Sequence, residues 1–353
     1  MLSGIHKKLQ LQLLLGIAIA LSSATSAKAF DIHFDYSYDD GFFSGTEGET
    51  RRNTLEQAGR YYEDYIDDNL SAIVYDENST TGIGYDWGGL SNTWKISFDN
   101  PATGVKEYIT DPTFAEGRVT IYAGGRDLTS LGRGGAGGVG YSTISSNGEV
   151  LNQDFINLVK GRGQTGALTD PATDYSLWGG AIAFDSNLNS GFSWHNEVSD
   201  VGLETDEHDF LSVGVHEIGH VLGISGSNNS WNNQTSETGF TGTNAVAAYN
   251  QANNTNATGV PLDSGGSHWA NGTEGLTVEG VTQETAFDPS LYDGQRKLLT
   301  NVDYGGLEDV GWDVNEAAIY ANVPFEFSPS LGILVTFSGF GILKIKNQLK
   351  KIR

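Results

Sequence analysis

The stretch that decides the fold spans residues 215–223 and is Val215-His216-Glu217-Ile218-Gly219-His220-Val221-Leu222-Gly223. Apolar residues recur at helical spacing across 209–222, which predicts an α-helix there. Residues four apart lie on one face of a helix, so the imidazoles of His216 and His220 can hold one ion. Glu217 follows about 100° round the helix, where its carboxylate can reach a water on the metal rather than the metal itself.

Two histidines beside a glutamate form the arrangement that a metalloprotease needs. Zinc lowers the pKa of its bound water to about 7, and a neighbouring carboxylate takes the proton as the water attacks a carbonyl. The short pattern leaves one alternative open, a hydrogen-bonded histidine pair with no metal on an ordinary helix. The sequence predicts a zinc site on His216 and His220, with Glu217 as the general base.

The pattern from His216 onward resembles HExxHxxGxxH, the signature of the metzincin clan of zinc proteases. Gly223 matches the glycine that turns the chain toward a third ligand. The third-ligand position itself holds Gly226, which has no side chain that can bind metal. Because a catalytic zinc usually has three protein ligands, the third one must come from elsewhere in the chain.

The best replacement lies in Ser267-His268-Trp269. Leishmanolysin-like metzincins carry an insertion before their third histidine, which stands in a Ser-His-Trp context. The resemblance therefore implies His268 as the third zinc ligand. Glu237 is the alternative, because thermolysin-like enzymes use a downstream glutamate.

Further features follow from the resemblance, whose flanking segments are matrixin-like and which spans about residues 30–314. Metzincins place a methionine in a tight turn beneath the zinc, but the only methionine here is Met1. The matching stretch implies that Phe287 forms the apolar floor instead. The resemblance also implies that 178–185 is the edge strand along the substrate cleft and that Tyr292 stabilises the oxyanion.

Periodicity predicts an α+β fold. Apolar stripes predict helices over 54–69, with Thr54 in a capping box, and over 209–222. Further helices are expected over 242–253 and, with Thr300 as the cap, over 301–310. Expected strands cover 30–34, 94–98, 118–122 and 180–184. The resemblance implies a twisted mixed sheet, an N-terminal subdomain to about residue 223 and a loop-rich C-terminal subdomain, with 30–318 as the catalytic domain. The glycine-dense stretch 124–140 has no phosphate-binding pattern, so a flexible loop or bulged hairpin is predicted there.

The first residues predict secretion. Lys7 and Lys8 precede an apolar run, 9–21, and Ala27-Lys28-Ala29 supplies a small-residue cleavage pattern. These features are typical of a signal peptide covering 1–29, with the mature chain starting at Phe30. An uncleaved membrane anchor is disfavoured, because the run is shorter than the roughly 20 residues of a spanning helix.

The last residues, 319–353, predict a sorting or anchor segment. Pro324-Phe325-Glu326-Phe327-Ser328-Pro329 precedes an apolar run, 331–343, and a basic end. This order resembles a bacterial C-terminal sorting signal of the PEP-CTERM type, although that family carries Pro-Glu-Pro at the motif. The resemblance implies transient membrane association, processing by an exosortase-type sorting enzyme, and delivery to the outer surface or extracellular matrix. A plain tail anchor is the alternative.

The composition of the chain excludes several classes of function. The formal net charge is −24, from 44 acidic and 20 basic residues, which argues against nucleic-acid binding. Cysteine is absent, so no disulfide and no thiol nucleophile is available. The surplus of carboxylates leaves oxygen ligands for calcium. The predicted function is a secreted or surface-sorted zinc endopeptidase acting on proteins or peptides. The alternatives are a catalytically silent zinc-containing surface or matrix protein and a calcium-dependent adhesive module.

Overall fold

The computed structural model describes residues 30–74, 91–144 and 153–319. The predicted signal peptide, 1–29, lies outside the described residues, as does the predicted sorting segment from residue 320 onward. No helix in the described ranges has the length and apolar character to cross a membrane.

Helices and short strands alternate along these ranges. The α-helices are α1 (Gly45–Glu63), α2 (Gln153–Gly161), α3 (Phe210–Val221), α4 (Asn229–Asn232), α5 (Thr243–Asn253), α6 (Asn301–Val310) and α7 (Glu316–Ile319), and a 3₁₀ turn covers Thr165–Leu168. The strands are β1 (Asp31–Asp35), β2 (Ser91–Asp99), β3 (Lys106–Thr110), β4 (Arg118–Arg126), β5 (Gly132–Ala136), β6 (Gly138–Ile144), β7 (Gly179–Asp185), β8 (Ser193–His195), β9 (Glu207–Asp209), β10 (Thr235–Ser236), β11 (Gly239–Phe240), β12 (Glu274–Leu276) and β13 (Thr282–Glu284).

The central sheet has four strands in the order β1-β4-β7-β5. β1, β4 and β7 are parallel, and β5 pairs antiparallel with β7. A separate antiparallel sheet has the order β3-β2-β6. The expected α+β class and mixed sheet are therefore confirmed, and after α3 the chain has only short strands between its helices.

Each face of the central sheet contributes to a different core, because successive side chains of a strand point to opposite faces. On β7, Ile182 and Phe184 join the core that contains the apolar residues of α1 and α3. Ala181 joins a second core with Trp94 and Phe98 of β2. Helix α3 thus packs on one face of the sheet, and the β3-β2-β6 sheet covers the other.

The glycine-dense stretch differs from expectation. β5 and β6 are strands of two different sheets, so the predicted flexible loop or bulged hairpin is wrong. β5 is also the edge strand, whereas β7 lies between β4 and β5. The prediction that 178–185 forms the edge is therefore wrong as well. Glycine lowers strand propensity, so composition alone favoured a loop, and the close packing of β5 on α3 overrides that preference.

Helix α1 also begins earlier than expected, at Gly45. Thr54 is fully buried inside the helix, and its Oγ1 donates a hydrogen bond to the Asn196 carbonyl at 2.5 Å, so it is not a cap. The first turns escaped prediction because they carry few apolar residues to mark a helical stripe.

A buried ion pair anchors the start of α3. Asp209 is fully buried, caps the helix by accepting from the Ser212 amide at 3.1 Å, and binds Arg296 through both carboxylate oxygens at 2.7 and 2.9 Å. Arg296 also donates to the carbonyl oxygens of Glu197 and Val198. This contact joins the loop before α6 to the helix that carries both motif histidines.

Asp209→Ala is expected to lower the free energy of unfolding by about 2–4 kcal/mol, because it removes a helix cap and leaves the partly buried Arg296 charge without its partner. Denaturant unfolding of the protein and the variant measures the change. Asp31→Asn is the control, because Asp31 pairs with Arg118 at 2.7 Å on the surface and such pairs contribute at most about 1 kcal/mol. Equal effects of the two substitutions would contradict the anchoring role of Asp209.

Candidate metal centre

Three histidines converge at one point of the structure. His216 and His220 project from the same face of α3, and their Nε2 atoms lie 3.0 Å apart. The Nε2 atom of His268 lies 3.0 Å from that of His220. Among the described residues, these three form the group whose ligand atoms all lie within 4.8 Å of one another. They are close enough to bind a metal ion.

The second ring nitrogen of each histidine has an acceptor of its own. The Nδ1 atom of His216 donates to the Ala286 carbonyl at 2.7 Å, and that of His220 to the Ile224 carbonyl at 2.6 Å. The Nδ1 atom of His268 faces the Asp263 carboxylate at 3.4 Å. The protons therefore sit on Nδ1, and the three Nε2 lone pairs point at one another. Lone pairs repel, so this arrangement calls for a shared cation rather than hydrogen bonds.

Burial keeps the motif histidines neutral. It lowers the pKa of His216 well below the usual value, and the neighbouring His220 and His268 lower it further. Burial likewise lowers the pKa of His220 to about 4, with the charge of His268 acting in the same direction. Neutral imidazole is the form that ligates metal.

The spacing of the nitrogens fits a small transition-metal ion. A tetrahedral zinc with Zn–N distances of about 2.0–2.1 Å holds its ligand nitrogens about 3.3 Å apart. The observed separations of 3.0 Å are close to that value. Nitrogen ligands suit zinc, copper, iron and nickel alike, so the geometry does not identify the metal.

The segment between Gly226 and Ser267 leaves the centre and returns to it. Gly223 turns the chain after α3 with a φ of 104°. The Gly226 amide then donates to the Ser267 hydroxyl at 3.0 Å, which brings His268 next to the position where the contiguous motif would place its third ligand. Glu237, the alternative ligand, lies exposed between β10 and β11 and is not part of the histidine group.

Asp263 holds the loop that presents His268. Its carboxylate accepts hydrogen bonds from the amides of Ser267 and His268 at 3.0 and 3.2 Å. Burial by itself raises the pKa of Asp263, but the hydrogen bonds and charge of His268 outweigh it and lower the pKa below the usual value. An anionic Asp263 opposite Nδ1 fixes the ring orientation of this third histidine.

Phe287 lies beneath the histidines. It is fully buried, and its ring centroid lies 5.8 Å from that of His216 and 6.3 Å from that of His220. A side chain at Gly219 would overlap the Phe287 ring, so the glycine allows the ring to approach α3. Phe287 occupies the position beneath the histidines that the resemblance implied.

Asp303, which sequence analysis missed, connects several parts of the centre. One carboxylate oxygen accepts from the Trp269 indole at 2.9 Å and the Phe287 amide at 3.4 Å. The other accepts from the Ala286 amide at 3.0 Å and from the amide and hydroxyl of Thr300, each at 2.8 Å. Burial raises the pKa of Asp303, and these donors oppose that effect. Thr300 and Asp303 form a capping box on α6, and that Thr-x-x-Asp spacing was the available signal in the sequence.

Glu217 lies against the edge strand β5. The Gly134 amide donates a hydrogen bond to Oε2 of Glu217. Burial raises the pKa of Glu217 to about 8, against the lowering effects of the Gly134 hydrogen bond and the Arg133 charge. A Cβ atom at Gly132 would lie 2.6 Å from Oε1, and one at Gly134 would overlap the Glu217 carbonyl oxygen. The glycines of β5 therefore permit its close approach to α3.

The three histidines and Glu217 open into one cavity of about 620 Å³. The three histidines and Glu217 line one wall, residues 130–134 another, and residues 288–292 the rim. Tyr292 lies on this rim with 58 % of its surface exposed. The centre is thus accessible to a ligand much larger than water.

No family model matches the chain, and the comparisons with curated proteins and with solved structures found no match either. The chemistry of the site therefore rests on its own residues.

Asp303→Asn is expected to weaken metal binding about 10- to 100-fold, the usual effect of losing a group that orients metal ligands. An amide has one acceptor atom, whereas both oxygens of Asp303 accept hydrogen bonds. Competition against a chromophoric chelator measures the affinity. Glu274→Gln, an exposed change on β12, is the control and is expected to leave the affinity unchanged. Equal affinity of a folded Asp303→Asn variant and the wild type would contradict this role.

Gly134→Ala is expected to lower the free energy of unfolding by about 1–3 kcal/mol, because the added methyl group forces β5 away from α3. Gly135→Ala, in the same strand, is the matched control, since no atom lies within 4 Å of its added Cβ. Denaturant unfolding compares the two variants. If both alanines had the same effect, close packing at Gly134 would not be a constraint.

Proposed function

We propose that the chain is a zinc-dependent endopeptidase of the metzincin type, secreted or sorted to the cell surface. The observation that carries the proposal is the convergence of three histidine Nε2 atoms next to a buried glutamate in one open cavity. A buried carboxylate beside a three-nitrogen site is the donor set of a hydrolytic metal centre.

In this proposal His216, His220 and His268 bind zinc as neutral ligands through Nε2. Bound zinc supplies Lewis acidity, which lowers the pKa of water and polarises a substrate carbonyl. The carbonyl oxygens of Ala286 and Ile224, together with Asp263, keep the imidazoles oriented by accepting from Nδ1. Phe287 closes the floor of the site with an apolar surface.

Glu217 acts as the general base and then as the general acid. It takes a proton from the attacking water and passes it to the leaving amine of the cleaved peptide bond. A group with both tasks works best when its pKa lies near the operating pH, and burial brings that of Glu217 to about 8. The Gly134 amide holds one oxygen of the carboxylate in place.

The substrate is an extended peptide that adds to the free edge of β5. Leu131 and Gly137, which flank β5, bond to β7 through main-chain atoms, as Asp185 N to Leu131 O and as Gly137 N to Gly179 O. Because such bonds alternate along a strand, the main-chain groups of Gly132, Gly134 and Ala136 face away from β7. The Gly134 amide is bonded to Glu217 and the Gly132 carbonyl to the Ser130 hydroxyl. Within the described residues, the Gly132 amide, the Gly134 carbonyl and the main chain of Ala136 remain for a peptide. An edge of this kind can bind a peptide backbone without regard to most side chains. Tyr292, across the cavity, is the proposed oxyanion donor.

The surroundings of the enzyme follow from the ends of the sequence. The proposal places it outside a bacterial cell, on the outer surface or in the extracellular matrix, after passage through an exosortase-type sorting step. Calcium binding by surplus carboxylates belongs to the same proposal.

The rival function is a silent surface or matrix protein that keeps zinc for structure. A structural zinc site is usually closed by four protein ligands. The described residues bring three ligands together, and these line an open cavity. An open ligand position favours the catalytic proposal.

The deciding experiment compares zinc content and casein turnover in three variants. Glu217→Gln is expected to keep one zinc per chain and to lose turnover by at least about 10²-fold, because proton transfer is lost. His268→Ala is expected to lose both zinc and turnover. His33→Ala, an exposed histidine on β1, is the control that keeps both.

Full turnover by Glu217→Gln would contradict its role as the base. Zinc bound equally by the wild type and His268→Ala, without turnover in either, would favour the structural rival.

A further inference from the structure

A second, smaller cavity lies on the opposite face of the central sheet from α3. Ala181 and Ala183 of β7 point to this face and form its floor. Gly135 of β5 pairs with Ala181 and has open space where a side chain would be. The cavity has a volume of about 140 Å³, room for one side chain.

The rim of this cavity is basic. Among the residues that the structure describes, Lys106, Arg126 and Arg133 line it with a single carboxylate, that of Asp99. The chain as a whole carries a formal charge of −24, so the local excess of two positive charges is opposite in sign to the net charge of the protein. A charge excess of this sign in an acidic protein indicates an anionic ligand.

The cations are only partly neutralised within the described residues. Lys106 pairs with Asp99 at 2.7 Å, and both side chains are about half exposed. Arg126 donates from Nη1 to the carbonyl oxygens of Asn100 and Pro101, which are neutral acceptors. Burial lowers the pKa of Arg126, and the charge of Arg133 lowers it further. Two guanidinium groups therefore face the same small space.

The basic cavity and the histidine cavity meet at β5, because Arg133 and Gly134 line both. Gly132 and Gly134 face α3, whereas Arg133 and Gly135 face the basic cavity. A peptide strand added to β5 has the same alternation, with successive side chains on opposite faces. Side chains on one face of the added strand would lie near the histidines, and those on the other near Arg133.

We infer that Arg133, Arg126 and Lys106 form a subsite for an acidic side chain of the peptide substrate. The inference rests on the proposed endopeptidase function and extends it by naming a substrate class, peptides with Asp or Glu on the face of the added strand that lies away from α3. A carboxylate fits because guanidinium groups bind it through paired hydrogen bonds, and the floor of small residues leaves room for it.

The test uses matched fluorogenic peptides with Glu or Gln at each position on either side of the scissile bond. The wild type is expected to cleave the Glu peptide about fivefold faster in kcat/KM at one position or at alternate positions, the effect of about one ion pair. Raising the ionic strength to about 0.5 M is expected to reduce that preference, because salt screens the charges.

Arg133→Gln and Lys106→Gln are each expected to reduce the Glu preference. Their combination is expected to abolish it, because it removes the local excess of positive charge and leaves Arg126 balanced by the carboxylate of Asp99. Lys95→Gln is the matched control, because Lys95 packs over the Tyr108 ring and does not line the cavity. Equal cleavage of Glu and Gln peptides at every position, or a preference that survives the double substitution, would overturn the subsite.

A binding measurement separates this inference from the proposed activity. Zinc-loaded Glu217→Gln is titrated with the labelled Glu and Gln peptides, and fluorescence anisotropy is recorded. Tighter binding of the Glu peptide that disappears in Arg133→Gln/Lys106→Gln/Glu217→Gln supports the subsite even if the wild type cleaves nothing. Equal binding of both peptides rejects it even if the wild type is an active peptidase.

Discussion

The buried carboxylate of Asp303 is the constraint on which the rest of the site depends. It accepts hydrogen bonds from the residue after His268, from the backbone beneath the histidines, and from Thr300, the N-cap residue of α6. Three chain segments distant in sequence are thereby tied to one anion. Because a buried charge is costly unless its hydrogen-bonding capacity is filled, each segment is held in a single arrangement. The positions of His268, which precedes Trp269, and of the Ala286 carbonyl that orients His216 follow from that requirement.

A second constraint acts from the opposite side, where β5 packs against α3. Four of the five residues of β5 are glycine or alanine, and two of the glycines, Gly132 and Gly134, lie against Glu217. The strand thus contributes main-chain atoms where other strands contribute side chains. One amide holds Glu217, and the remaining free edge stays available to a peptide. The small side chains of β5 thus allow close packing on α3 and leave part of the strand edge open.

The sequence predicted α3, α5, α6 and the α+β class. The signal for α3 was its periodic apolar face, and that for α6 was its cap at Thr300. It also predicted the three-histidine group, since the Ser-His-Trp context marked His268. It did not predict the role of β5, because glycine-rich segments have no periodicity. It did not predict the role of Asp303 either. A residue that only caps a helix and a buried residue that also binds other segments share the same Thr-x-x-Asp pattern. Contacts between residues distant in sequence determine the roles of β5 and Asp303, and no local sequence pattern indicates such contacts.

The contact between Gly226 and Ser267 has a consequence for how such centres vary. The segment between them, residues 227–266, begins and ends at this contact. Doubling the length of a flexible loop costs only about 0.6 kcal/mol in closure entropy. The exposed turns of this segment can therefore lengthen or shorten at small cost, while its buried residues and the contact between Gly226 and Ser267 stay in place. His268 is thus placed by one contact in space, and a fixed interval between the histidines along the chain is not required.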